Sequence, residues 1–367
     1  MGDGRVSAAI AAALMMAGLP ATAQEPSPGP SKFTARANLV FLPTRVQSKK
    51  GDTVYGLKPE DFIVEDNGVR QSVRVDEDPD VSGLSLVVVV QCGRSAPAEF
   101  SKLKGLPTMI DKITGAAPHE VAIISYGEGP YVLGDFSRSS AAVRLALSRL
   151  KPCGEYYAAS IDAVYYAMNM LKRRQSHYRR AILLIGETRD HGSRSKLNEV
   201  VGELGVTDTT IYTVAFAAAK DEVIEDLRHP IGPPPEYVFP TPPSTPDADA
   251  SPPAPPGPTF KEHTPLFELP PQLMLVINAL RQNSASELAS LSGGEYQKFT
   301  TQRGFEQGLQ RISDQLHNYY LLSFVPPPGP AWGFHELRVR VADRPDAVIQ
   351  TRRSYWAGIF ESSTNLR

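Results

Sequence analysis

The run Leu84-Ser85-Leu86-Val87-Val88-Val89-Val90 constrains the fold of this chain more than any other stretch. A nearly unbroken apolar segment of that length, rich in β-branched residues, suits a strand buried on both faces, and such strands belong to parallel sheets covered by helices. The sequence that follows keeps the same rhythm. Helices are expected at about Ala98 to Ile113, Ala141 to Leu150 and Ile161 to Arg173, and strands at Val121 to Tyr126, Ala181 to Ile185 and Ile211 to Phe216. Alternating strand and helix predicts an α/β fold on a doubly wound, mostly parallel sheet.

Residues 220–271 interrupt this pattern with about half of the chain's 33 prolines, as in Gly232-Pro233-Pro234-Pro235. Such a composition cannot bury enough surface to fold and predicts a disordered insertion. Two uses are open for it: a solvated spacer, or a ligand for a Pro-binding groove. The α/β rhythm then resumes, with a helix over Leu273 to Leu291, a cap at Gly293-Gly294, a strand over Glu295 to Phe299 and a helix over Phe305 to Leu316. One domain, 81–317, is therefore expected to be split by a loop. Its flanks read as short strands. Residues 37–80 carry the hairpin signal Asn67-Gly68, and 318–360 carry strands at Tyr319 to Val325, Phe334 to Val341 and Ala347 to Arg353. Each flank alone has too few strands for a core, so the two are expected to pack together as one small β domain.

Residues 1–23 carry Arg5, an apolar run through Leu19 and then Ala21-Thr22-Ala23, the pattern of a signal peptide cleaved after Ala23; 24–36 would follow as a linker. An N-terminal helix packed on the core is the competing reading, which Gly18 and Pro20 oppose. No later stretch approaches the ~20 apolar residues of a membrane span. A soluble protein of the periplasm or the cell exterior is expected. The net charge of -2 offers no basic face for nucleic acid or an anionic membrane.

In an open parallel sheet, ligands bind beyond the carboxyl ends of the strands. Three loops there hold the informative residues: Gln91-Cys92-Gly93-Arg94-Ser95, then Pro152 to Ser160, then Gly186-Glu187-Thr188-Arg189-Asp190. With these loops, the upstream segment Gly56-Leu57-Lys58-Pro59-Glu60-Asp61-Phe62-Ile63-Val64-Glu65-Asp66-Asn67-Gly68 and the ending Arg352-Arg353-Ser354-Tyr355-Trp356-Ala357, the chain resembles the VWFA-related proteins abundant in Acidobacteria. The likeness covers nearly the whole mature chain. It implies a Rossmann-like von Willebrand factor A-type domain set between short β segments.

The resemblance implies a metal-ion-dependent adhesion site made of an Asp-x-Ser-x-Ser loop, a Thr and a further Asp, whose hard oxygens suit Mg²⁺. This sequence departs from that pattern. Gln91 stands at the Asp, Gly93 at the first Ser, and Ser95 is retained. Ala158 or a neighbour stands at the Thr, Asp162 matches the Asp of the following helix, and Glu187 takes the third-loop Asp. One hydroxyl and one carboxylate make a poor Mg²⁺ site, so a degenerate site with no cofactor is expected. A weak Mg²⁺-dependent site built from Ser95, Asp162 and Glu187 is the alternative.

The fold so implied brings Cys92 and Cys153 together in an oxidising compartment, where they form either a disulfide or two buried thiols. Tyr156 and Tyr157, in the second loop, are candidate interface anchors or packing residues. An enzyme finds little support. The seven histidines lack metal-ligand spacing, no nucleophile elbow or phosphate loop occurs, and Asp190, His191 and Ser193 are adjacent in sequence without implying triad geometry. The expected function is binding of another protein, with a cell-envelope hydrolase as a further alternative.

Overall fold

The computed structural model describes residues 40–76, 83–174, 176, 178–216, 271–317, 319–326 and 333–357. The expected signal peptide, the linker and, apart from Pro271, the Pro-rich insertion lie outside these residues.

The N-terminal flank forms β1 (Val40–Gln47), β2 (Phe62–Asp66), β3 (Val69–Gln71) and β4 (Arg74–Asp76). Buried and half-buried residues alternate along β1, as expected for a strand with one face on a core. Asn67 and Gly68 both take positive φ, 48° and 81°, the twist that a two-residue hairpin turn requires between β2 and β3.

Every residue of β5 (Leu84–Gln91) is buried. After it come α1 (Ala96–Glu99), a 3₁₀ turn at Phe100–Leu103 and α2 (Leu106–Thr114). The single helix expected over Ala98 to Ile113 is thus broken. Gly105 lies against the Glu306 side chain and Pro107 restarts the helix at its first turn.

The chain continues through β6 (His119–Tyr126), β7 (Pro130–Ser137), α3 (Ser140–Ser148), α4 (Ser160–Lys172), β8 (Arg179–Glu187), α5 (Leu197–Thr207) and β9 (Thr209–Phe216). After the insertion come α6 (Pro271–Gln282), α7 (Ser284–Ser292), β10 (Tyr296–Lys298) and α8 (Gln302–His317). Where one helix is expected over Leu273 to Leu291, Asn283 ends the first, and its side chain accepts from Ser286 N at 3.0 Å to cap the second. The last strands are β11 (Tyr320–Phe324), β12 (Gly333–Val341), β13 (Val348–Gln350) and β14 (Ser354–Ala357).

The central sheet has six strands in the order β10-β9-β8-β5-β6-β7, all parallel except β7. Alternate residues of β5 serve opposite cores. Leu86, Val88 and Val90 meet Ile110, Val143, Phe305 and Leu309, whereas Val87 and Val89 meet Val164, Met168, Leu171 and Leu288. Helices therefore cover both faces, which is why the strand carries no polar alternation. This is the doubly wound α/β architecture expected from the sequence.

The flanking strands pair across the chain in two four-stranded sheets, β13-β1-β11-β4 and β14-β12-β2-β3. Leu42, Val46, Phe62, Val64, Leu322 and Leu337 share one core between them. Arg352 ties this part to the α/β layers. Its guanidinium is buried, donating to Asp208 at 3.1 Å, to Leu204 O at the end of α5 at 3.4 Å and to Ser354 O at 2.9 Å. A cation is favourable at a helix C-terminus. No helix among the described residues is long and apolar enough to cross a membrane.

Candidate functional site

Parallel strands end on the same side of a sheet, so β5, β6 and β8 deliver Gln91, Tyr126 and Glu187 to one edge. Register makes the placement sharper: Gln91 pairs with Tyr126, and Val90 with Ile185, leaving Gln91 beside the Glu187 backbone. The Gln91 amide then uses both ends. Its Nε2 donates to Glu187 Oε1 at 2.8 Å and to Gly93 O at 3.1 Å, while its Oε1 accepts from Glu187 N at 2.8 Å and from Tyr126 Oη at 3.4 Å.

Glu187 is equally engaged. Oε1 also accepts from Ser95 Oγ at 2.9 Å, and Oε2 accepts from Arg94 Nε at 3.1 Å with His191 Nε2 at 3.4 Å. The Arg94 and Glu187 side chains are 2% and 1% exposed, so their charges face each other away from water. Arg94 reaches this place through a left-handed backbone, φ 52°, which is uncommon for a residue with a Cβ. Its amide is held there by Glu155 O of the second loop, at 2.7 Å.

The second loop closes over the first. Cys92 and Cys153 form a disulfide with Cα atoms 5.1 Å apart, and Cys153 N donates to Cys92 O at 3.0 Å. A Cβ at Gly93 would lie 2.8 Å from Glu155 O and 2.9 Å from Tyr157 O, so the second-loop backbone occupies the space that any side chain at 93 needs. Ala158 is fully buried and exchanges both main-chain hydrogen bonds with His191, at 2.8 and 3.0 Å. It ties the second loop to the third and brings no oxygen ligand from its side chain. Tyr157 packs on Gly192 of the third loop, whereas Tyr156 is 47% exposed. Tyr131, 37% exposed, donates to Glu155 Oε1 at 2.7 Å.

Asp162 turns elsewhere. Its carboxylate accepts from Arg194 N at 3.0 Å and Ser195 N at 2.8 Å, where it orders the third loop. Asp190 accepts from Ile161 N at 3.0 Å, Ser160 Oγ at 3.0 Å and Ser193 Oγ at 2.6 Å. Burial pushes its carboxyl above the ordinary range, and the nearby Asp162 adds to this, against the hydrogen bonds it receives. Both serine hydroxyls donate to the Asp190 carboxylate, which together with the Ile161 amide fastens the start of α4 to the third loop. Burial, with the charges of Glu187 and Asp190, holds the Tyr126 hydroxyl well above its usual range.

The three expected loops do meet, and Gln91, Ser95 and Glu187 form one cluster. Arg94 and His191 belong to that cluster and are not apparent from sequence spacing. The donors do not fit a divalent ion. The Asp of the adhesion pattern is an amide, position 93 has no room for a hydroxyl, and a guanidinium already neutralises Glu187. Among the described residues no group of three or more His, Cys, Asp or Glu side chains is arranged around a common point suited to a metal ion.

Fold and cluster together define a three-layer, doubly wound α/β protein whose strand-end site is closed by its own side chains. No protein-family model and no curated protein matches the chain. Among solved structures it is similar to the conserved hypothetical protein BatB from Bacteroides thetaiotaomicron, at 11% identity over 63% of this chain and 100% of that one, with a TM-score of 0.36. It is similar to the SpRpn10 VWA domain at 13% identity, over 42% of this chain and 89% of that one, with a TM-score of 0.30. A third is proximal thread matrix protein 1 of the mussel byssus with a zinc-occupied MIDAS motif, at 14% identity over 42% of this chain and 41% of that one, with a TM-score of 0.34. A VWA domain is thus among the structures that the chain is similar to; the fold itself rests on the sheet topology.

Proposed function

We propose that this chain is an exported von Willebrand factor A-type module that binds another protein through its strand-end loops without a bridging divalent ion. The observation that carries the reading is the closed set Gln91, Arg94, Ser95 and Glu187, in which a buried guanidinium supplies the positive charge that an adhesion site takes from its metal. A carboxylate at 91 would face Glu187 and require a cation; an amide there donates to it instead. Exposed aromatic surface remains at the rim for a partner, in Tyr131 and Tyr156, and tyrosine is favoured at interface anchors.

The alternative of a weak Mg²⁺ site needs Ser95, Asp162 and Glu187 to converge, and the Asp162 carboxylate is directed to the third-loop backbone instead. A hydrolase, the further alternative, has no nucleophile elbow in the sequence to support it. Export rests on the signal-peptide pattern of residues 1–23, and the narrower likeness to the VWFA-related proteins of Acidobacteria rests on residues 56–68, the strand-end loops and residues 352–357.

The test is capture of envelope and secreted proteins on the immobilised mature chain, with Mg²⁺ or with EDTA, using wild type and a Tyr131→Ser/Tyr156→Ser variant. A partner retained in EDTA and lost with the variant is expected. A partner that binds only with Mg²⁺, or equally well to the variant, would overturn the reading.

A further inference from the structure

We infer that the Cys92–Cys153 disulfide is a redox latch on the strand-end surface: a dithiol reductant opens it and frees the segment 151–157, which carries Tyr156. This rests on the proposed role of that surface in partner binding.

The disulfide joins two loops, not two core elements. None of the seven residues from Lys151 to Tyr157 is buried, and the segment forms neither helix nor strand. Both cores of the α/β sheet are assembled from other residues. Apart from the covalent bond, the segment is tied to its surroundings by the packing of Tyr157 on Gly192 and by hydrogen bonds. The bonds run from Cys153 N to Cys92 O, from Arg94 N to Glu155 O, from Tyr131 Oη to Glu155 Oε1 and from Glu128 N to Glu155 Oε2. Each such bond yields only a modest net gain over bonding to water, while ordering seven residues, none of them buried, costs backbone entropy at every one. The covalent bond therefore decides whether the segment stays closed. The adjoining Ala158 to Val164 are buried and bonded to the third loop, so an opening stops there.

Access favours one sulfur. Cys92 is 3% exposed, whereas Cys153 is half-buried between the exposed Pro152 and Gly154. The attacking thiolate forms a bond to Cys153 Sγ as the Sγ–Sγ bond breaks, and Cys92 leaves as a thiolate that takes a proton from water. The reductant's second thiol then displaces Cys153 from the mixed disulfide. Two electrons and two protons pass from the dithiol to the cysteine pair, and the reductant leaves as its own disulfide.

Amide hydrogen exchange on the full chain tests this, comparing the oxidised protein, the protein reduced with dithiothreitol, and Cys92→Ser/Cys153→Ser. Exchange in 151–157 about tenfold faster on reduction and in the variant, with β5 and β8 unchanged, is the expected result. Unchanged exchange in a protein shown by mass to be reduced would overturn the latch. So would faster exchange throughout β5 and β8, which would make the bond a core staple, and so would a disulfide that excess dithiothreitol leaves intact. None of these results depends on a partner, so failure of the latch is distinguishable from failure to capture a partner.

Discussion

Gln91 and Glu187 meet as donor and acceptor: Gln91 Nε2 donates to Glu187 Oε1, and Gln91 Oε1 accepts from Glu187 N, both at 2.8 Å. An aspartate at 91 could accept but not donate. Gln91→Asp is expected to set two buried carboxylates against one guanidinium and to cost about 3 kcal/mol at neutral pH. Two like charges at one buried site repel, so the loss at neutral pH is expected to shrink when the protein is brought to about pH 5. Urea unfolding at both pH values checks this; an equal loss at both would contradict it.

Arg94 and Glu187 are the buried ion pair at the centre of the site. Arg94→Met leaves the Glu187 carboxylate uncompensated and is expected to cost about 3–5 kcal/mol. The double variant Arg94→Met/Glu187→Met should cost clearly less than the sum of the two single changes. A double-mutant cycle by chemical unfolding measures the coupling, and additivity within about 0.5 kcal/mol would show that the pair is not interacting.

Gly93 has no room for a side chain beneath the Glu155 and Tyr157 carbonyls. Restoring the hydroxyl of the adhesion pattern with Gly93→Ser is expected to push the second loop outward and cost about 1–3 kcal/mol, with or without Mg²⁺. Thermal unfolding in both conditions reads this out.

At the opposite edge of the sheet, Glu120 is buried with Arg174 and Ser85. Burial alone would push its carboxyl up, but hydrogen bonds from Arg174, Ser85 and Ser176 and the charge of Arg174 outweigh it and hold the group below its ordinary 4.5. A depressed carboxyl stabilises the fold above its unfolded value and loses that contribution as pH falls through the folded one. Glu120→Gln should therefore lower stability at neutral pH by about 1–3 kcal/mol and flatten the acid limb of the stability curve. Asp190, pushed up, acts in the opposite sense: its contribution is present below 3.8 and fades as pH rises through its folded value. A steeper acid limb in Glu120→Gln would contradict the assignment.

The fold was legible where burial leaves a pattern. Both-face burial of β5 writes an unbroken Val run, and Asn67-Gly68 writes a hairpin. Edge strand β7 was not legible, because Pro130, Gly134 and Asp135 favour turns over strands. Helix α5 was hidden by Gly202 and Gly205 in its 11 residues. At the site, the residue types at 91, 95 and 187 pointed to the cluster. The left-handed turn that swings Arg94 inward leaves no periodicity to read, and arginine is by default a surface residue. Asp162 illustrates the converse: its position matches an adhesion-site carboxylate, yet two backbone amides claim it.

Arg94 and Gln91 both bond to Glu187 at the strand-end site, and are proposed to close it without a divalent ion. The most direct test is thermal unfolding of the oxidised wild-type protein in EDTA and in millimolar Mg²⁺ or Mn²⁺, since an ion that binds only the native state at 100 times its dissociation constant adds about 2.7 kcal/mol. An unchanged midpoint is the predicted result. A midpoint that rises with metal concentration, and does so less in Glu187→Gln, would contradict it.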